Sequence, residues 1–238
     1  MIHLISYGDD NYRDAKKRIE IEALSTGWFD SITVYGPEIL DNNFKNKFKE
    51  VLSHPRGAGY WIWKNYIIKK KLSEINDNDI LIYVDAGCSI NKKGKKRFNE
   101  YVDMLNSIDG GIISFKLSHL EKFYTTKEIF NYFNIDTNGD IANDCQLVGG
   151  ILIMKKTAKL KNKLDLVYKV YEDNPLLVTD YYNKNQASYF IDNRHDQSIF
   201  SIIRKIHKSI ELKDETYFGE RGDIRNPVNY PFWATRKK

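Results

Sequence analysis

The chain has 238 residues, 42% apolar and 29% charged, with 37 Lys and Arg against 32 Asp and Glu and a formal net charge of +5. Its longest unbroken apolar run, from Ile80 to Val84, falls far short of the roughly 20 residues of a membrane span or the about 7 to 15 of an export segment. The small basic excess suits an anionic small ligand rather than nucleic acid, and two cysteines, Cys88 and Cys145, make neither a disulfide framework nor a zinc site, so a reducing cytoplasmic setting is expected.

No repeat, low-complexity tract or Pro/Gly linker divides the sequence, and residues 1–238 are read as a single domain. An apolar opening runs from Ile2 to Ser6, a helical pattern from Tyr12 to Leu24, and a strand from Ser31 to Tyr35 that Gly36-Pro37 closes. A buried-type strand follows from Asp79 to Val84, then a helix from Lys93 to Leu105 and strands from Gly111 to Phe115 and from Leu147 to Met154. Strands alternating with helices predict an α/β fold with a mostly parallel sheet flanked by helices. Such sheets bind ligands beyond the carboxyl ends of their strands.

The first strand ends in Ser6-Tyr7-Gly8-Asp9-Asp10, which holds neither a dinucleotide-binding nor a P-loop glycine pattern. Asp10 reads as a helix N-cap, and Tyr7 as a ring able to stack on a nucleobase. His54-Pro55-Arg56-Gly57-Ala58-Gly59 is a glycine loop that leads into Tyr60-Trp61-Ile62-Trp63-Lys64. On a helix starting there, Trp61, Ile68, Leu72 and Ile75 share a face and Lys64 lies within that inward arc, either snorkelling along apolar neighbours or meeting a phosphate. Arg56 is a second possible diphosphate ligand, while the paired tryptophans serve as core or as a sugar platform.

Asp85 follows the strand Ile80-Leu81-Ile82-Tyr83-Val84, and a carboxylate there needs a cation or hydrogen-bond donors unless it only caps a turn. A Mg²⁺ or Mn²⁺ ion bridging a diphosphate satisfies that need with one or two protein carboxylates. In Asn143-Asp144-Cys145-Gln146-Leu147-Val148-Gly149-Gly150, the glycine pair marks a bulge or the close approach of a ligand or another backbone. Asp144 and Gln146 are candidates to bond sugar hydroxyls. His195-Asp196-Gln197 precedes an Ile199, Ile202, Ile203, Ile206 stripe that, projected backwards, turns His195 and Asp196 inward; the competing readings are a core histidine and a first-turn carboxylate that offsets the helix dipole. The lysines at 69–71 and the basic cluster from Lys92 to Arg97 read as solvated helix surface.

Three motifs, Gly59-Tyr60-Trp61-Ile62-Trp63-Lys64, Leu81-Ile82-Tyr83-Val84-Asp85-Ala86-Gly87 and His195-Asp196-Gln197-Ser198-Ile199-Phe200, together resemble the GT-A fold of nucleotide-sugar glycosyltransferases, in particular small bacterial and viral enzymes that build capsular or surface glycans. The resemblance implies a GT-A-like, Rossmann-like sheet and transfer of a hexose-type sugar from a UDP-linked or other nucleoside diphosphate donor to a saccharide or lipid-linked glycan acceptor in polysaccharide biosynthesis. It implies Mn²⁺ or Mg²⁺ at Asp85, though Gly87 stands where the family's Asp-x-Asp pair has its second carboxylate. It implies nucleotide or diphosphate contacts from Ser6, Tyr7, Arg56, Tyr60, Lys64 and Asp85, and sugar contacts from Gln146, Gly150, His195 and Gln197. Asp196 is the first candidate for the base that takes the acceptor proton and Asp144 the second. The basic balance suits a position near an anionic membrane where lipid-linked acceptors are made, without a spanning segment. The missing second Asp leaves one other reading, a nucleotide-sugar or glycan-binding domain without catalysis.

Overall fold

The computed structural model describes residues 1–107, 111–182, 184–217 and 227–237. The strands in these are β1 (Ile2–Tyr7), β2 (Ser31–Tyr35), β3 (Ile80–Val84), β4 (Ser89–Ile90), β5 (Ile112–Leu120), β6 (Cys145–Leu147), β7 (Ile151–Lys155), β8 (Ile210–Lys213) and β9 (Phe232–Trp233). The main sheet has the order β2-β1-β3-β7-β5-β6, with β8 also on β5, while β4 and β9 form an antiparallel ribbon of their own. β2, β1 and β3 run parallel, β7 is antiparallel to both β3 and β5, β8 runs with β5, and β6 runs against it. Five strands therefore share one direction and β6 and β7 oppose them, the mixed, mostly parallel sheet expected from the sequence.

The period-2 pleat explains why β3 is apolar throughout. Leu81 and Tyr83 face a core built with the helices Trp63–Glu74, Ala158–Asp173 and Asp196–Ile206. Ile80, Ile82 and Val84 face a second core with the helices Arg13–Thr26 and Lys95–Ser107. With both of its faces covered, β3 is open to ligands only at its ends. Among the described residues no helix is long and apolar enough to cross a membrane.

Three local expectations need correction. The side chain of Asp9, rather than Asp10, caps the turn after β1, by accepting the backbone N–H of Asn11. The helix expected to start near Tyr60 starts at Trp63. Gly57, Ala58, Gly59, Tyr60 and Trp61 all have positive φ, so this stretch winds left-handed and the Trp61 ring leaves the helical face assigned to it. The strand expected from Leu147 to Met154 is broken between β6 and β7 at Val148-Gly149-Gly150. Side chains from two other elements press against the glycines there.

Candidate active site

β1 and β3 are parallel neighbours, so Tyr7 and Asp85 emerge at the same edge of the sheet. β7 runs the other way, with Ile151 paired to Val84, which brings Gly149 and Gly150 to that edge as well. The helix Asp196–Ile206 and the turn before Trp63 point their first residues at the same place. Together they line a cleft of about 670 Å³ that includes Tyr7, Arg56, Trp61, Lys64, Asp85, Gly150, His195, Asp196, Gln197 and Arg236.

A buried charge cluster lies at the centre of the cleft. Lys64 Nζ is 2.8 Å from Asp196 Oδ2, 3.5 Å from Asp85 Oδ1 and 3.2 Å from the Gly149 carbonyl, which accepts its hydrogen bond. It also lies over the Tyr83 ring, 5.1 Å from the centroid, and the Tyr83 hydroxyl donates to Asp85 Oδ1. Burial works against the Lys64 charge, yet Asp196 and Asp85 outweigh it and raise the ammonium above the usual lysine value. For Asp196 burial wins over Lys64, and its carboxyl is pushed up to about 6. A carboxyl tuned this way in a cleft is a functional signal.

The glycine pair is explained by Asp85 and Gln197, which occupy the space a side chain would need. A Cβ on Gly150 would lie 2.6 Å from Asp85 Oδ2, and one on Gly149 would lie 2.8 Å from the Gln197 Cβ. Asp85 also receives its backbone bond here, its N–H donating to the Gly150 carbonyl at 2.8 Å. Gln197 Oε1 accepts from the Gly149 N–H at 2.8 Å, and its amide nitrogen donates to Gln146 Oε1 at 2.7 Å. Gln146 in turn donates to Glu121 Oε1 at 2.9 Å. Gln146 and Glu121 are both fully buried, so Gln146 orients Gln197 from behind rather than reaching the cleft.

Other expected residues fall in varied places. Tyr7 lines the cleft, with one ring face stacked on Trp63 at 3.7 Å between centroids. Ser6 is buried and donates to the Val84 carbonyl at 2.7 Å, tying β1 to β3 instead of facing the cleft. Tyr60 is buried, its ring 5.0 Å from that of His195, against which Trp61 also stacks. Arg56 lines the cleft with its guanidinium already bonded to Asp180 at 2.9 Å and Asp192 at 3.2 Å. Asp144 is not brought to the site: it pairs with Lys116 at 3.0 Å beside β6, and Lys116 outweighs burial to hold its carboxyl below the usual range.

His195 donates from Nδ1 to the Val178 carbonyl at 2.9 Å, which fixes its tautomer and leaves Nε2 as an acceptor 3.7 Å from Asp180 Oδ1. Burial drives its pKa down to about 4, so at neutral pH it is an uncharged ring stacked under Trp61.

Several residues of the site were missed by reading the sequence. Arg18 donates to the carbonyls of Ala86 at 2.9 Å and Cys88 at 2.8 Å, stapling the turn that carries Asp85. Arg204, fully buried, donates to the carbonyls of Leu147 at 3.1 Å and Val148 at 2.9 Å and props the glycine break from below. Arg204 lies on the far side of the helix from the Ile199, Ile202, Ile203 and Ile206 stripe, and it is buried because this helix is packed on nearly all sides, so the helical period offers no signal for it.

The segment 234–237 closes the edge of the cleft beside Asp85. The Lys237 N–H and the Thr235 hydroxyl both donate to the Gly87 carbonyl, at 2.8 and 3.0 Å. A Cβ on Gly87 would lie 3.5 Å from the Arg236 Cα and 3.3 Å from the Lys237 carbonyl oxygen. The tail backbone therefore runs along the space into which a side chain at position 87 would project.

The donor set offered to a divalent ion is correspondingly thin. Asp85 is the one carboxylate on its turn, and its Oδ1 already meets Tyr83 and Lys64. Among the described residues no group of three or more His, Cys, Asp or Glu side chains is placed to hold a metal.

No protein-family model and no curated protein matches the chain in sequence. Among solved structures it is similar to a glycosyltransferase involved in the glycosylation of the major capsid of PBCV-1, with a TM-score of 0.53 and 10% identity, covering 90% of this chain and 83% of that one. It is also similar to mouse xyloside xylosyltransferase 1 in its apo form, with a TM-score of 0.50 and 11% identity over 91% and 87% of the two chains. The chain has a GT-A-like fold. A shared fold hosts many activities, so function is argued from the site.

Proposed function

We propose that the protein is a glycosyltransferase that moves a sugar from a nucleoside diphosphate donor, UDP-linked in our reading, to a hydroxyl of a saccharide or lipid-linked glycan. The observation that carries this is the Asp85–Lys64–Asp196 cluster, open to a cleft at the carboxyl ends of β1 and β3 and flanked by aromatic rings. The size of the cleft suits a nucleotide sugar, since ligand pockets run to about 300–1,000 Å³.

In the reaction the bond between the sugar C1 and the diphosphate oxygen breaks and its electron pair leaves with the phosphate. The acceptor oxygen forms the new bond to C1 and gives up its proton. Asp196 takes that proton in this reading, which is supported by the burial that brings its basicity near the working pH and by its pairing with Lys64 at the cleft. Tyr7 offers an aromatic edge for the base, and Gln197, held by Gly149 and Gln146, is oriented toward the sugar.

A transfer assay with a panel of nucleotide sugars and saccharide acceptors tests the reading. Turnover that survives both Asp196→Asn and Asp85→Ala would remove these residues from the mechanism. Gly87 favours a second reading, a domain that binds nucleotide sugar without turning it over. Nucleotide binding with neither transfer nor hydrolysis across the panel would establish it.

A further inference from the structure

Lys64 stands in a place that asks for explanation. An ammonium buried between two carboxylates is costly to desolvate, and structures keep such a group only when hydrogen bonds and countercharges surround it. Here all of them are present: Asp196 at 2.8 Å, Asp85 at 3.5 Å, the Gly149 carbonyl at 3.2 Å and the face of Tyr83. The single carboxylate that could carry a metal on its turn thus has a fixed, covalently attached cation.

The place of the second carboxylate is filled from the other direction. Gly87 has no side chain, and its carbonyl is bonded by Thr235 and Lys237. This tail carries Arg236, an exposed residue on the cleft lining whose guanidinium lies 5.6 Å from the Tyr217 ring centroid and bonds that side chain. A guanidinium presents paired N–H donors that match two phosphate oxygens.

Resting on the nucleotide-sugar reading above, we infer that the donor diphosphate is held without a divalent ion, the two tasks of such an ion being divided between Lys64, which neutralises Asp85, and Arg236 of the tail, which meets the phosphates. Lys64 organises the carboxylates and Arg236 supplies the charge that faces the leaving group. The arrangement accounts for the glycine at position 87, because a carboxylate there would project into the tail that delivers the arginine.

Calorimetry of UDP, GDP, CDP and dTDP against the full chain, once in EDTA and once in Mn²⁺, tests this. The expected result is one nucleotide bound with the same affinity in both. Affinity that appears only with Mn²⁺ overturns the inference and leaves the glycosyltransferase reading standing; no binding in either condition overturns both. Arg236→Ala is expected to weaken the diphosphate about tenfold or more, the worth of a charge-assisted hydrogen bond, while leaving the affinity for the free nucleoside unchanged. Equal diphosphate affinity in this variant removes Arg236 from the site. The electron paramagnetic resonance spectrum of Mn²⁺ gives a readout independent of nucleotide: wild type should leave the free-ion signal intact, and a signal quenched by the wild-type protein alone overturns the inference.

Discussion

Lys64 Nζ and Asp196 Oδ2 face one another at 2.8 Å, with side chains only 7% and 11% exposed, at the inner end of an otherwise open cleft. The pair couples the helix Trp63–Glu74 to the helix Asp196–Ile206, and neither partner is neutral in its consequences for the other.

Lys64→Met is expected to leave Asp196 buried without its countercharge and to lower stability by about 3 kcal/mol or more at neutral pH, the usual cost of removing one member of a buried pair. The deficit should narrow as the pH falls, because protonation removes the stranded carboxylate charge. Thermal melts of both proteins at pH 8 and pH 5 check this, and a deficit independent of pH contradicts it.

On the proposed function, Asp196 also gives the pH profile of the wild-type protein a direction. The groups that act on its charge are Lys64, from the helix Trp63–Glu74, and Asp85 at the end of β3, with Tyr83, Tyr171 and Arg204 around them. A base works deprotonated, so kcat should rise with pH through about 6 and then level, and Asp196→Asn should lower kcat by about 10²–10⁴-fold. The linkage has the opposite sign for stability. The folded chain keeps a proton that the unfolded chain releases from 3.8 upward, so the contribution of this group is full below 3.8 and is lost as pH rises through about 6.

Gly150→Ala and Gly149→Ala should separate activity from stability. The added methyl at 150 meets the carboxylate of Asp85, a side-chain end that can swing aside, so kcat/KM should fall much more than the melting temperature. At 149 it meets the Cβ of Gln197 on a packed helix, where overpacking costs typically about 1–3 kcal/mol, so both should fall. Kinetics and melting curves on the two variants distinguish these outcomes.

Ala58 sits at φ 49°, ψ 51° within the left-handed stretch 57–61. Glycine at this position should stabilise the chain by up to about 1 kcal/mol, since the left-handed conformation costs an L-residue roughly 1–2 kcal/mol and glycine's extra unfolded freedom offsets part of the gain. Chemical denaturation measures the difference.

The sheet and most of the site were legible where one residue pattern dominated its surroundings. The run from Ile80 to Val84 announced a strand buried on both faces, and the carboxylate following it called for a cation or hydrogen-bond donors unless it only capped a turn; Lys64 and the Tyr83 hydroxyl both meet it. The backward projection of the Ile199–Ile203 stripe placed Asp196 inward, and the structure puts it there. What could not be read depended on distant partners. Asp144 has the same residue type as Asp85 and a comparable setting beside a strand, yet Lys116 on β5 holds it away from the cleft. The left-handed turn at 57–61 was hidden because Tyr60 and Trp61 have no local preference for positive φ. The helix Ala158–Asp173 carries its period in Leu160, Leu164, Val167 and Tyr171, and the tail's bonds to Gly87 join residues far apart in the sequence.

That last contact also orders events during folding. The Thr235 hydroxyl and the Gly87 carbonyl are separated by 148 positions, so closing this bond carries the entropy cost of a long loop unless the strands between them have docked. A chain released from the ribosome only as far as the helix Asp196–Ile206 holds the β3 residues of both cores but not Ile210 and Phe232 of the second, and its Asp85 turn still lacks the bonds from Thr235 and Lys237. Proteolytic trimming near Ala234 should therefore lower transfer activity while the circular dichroism of the sheet persists.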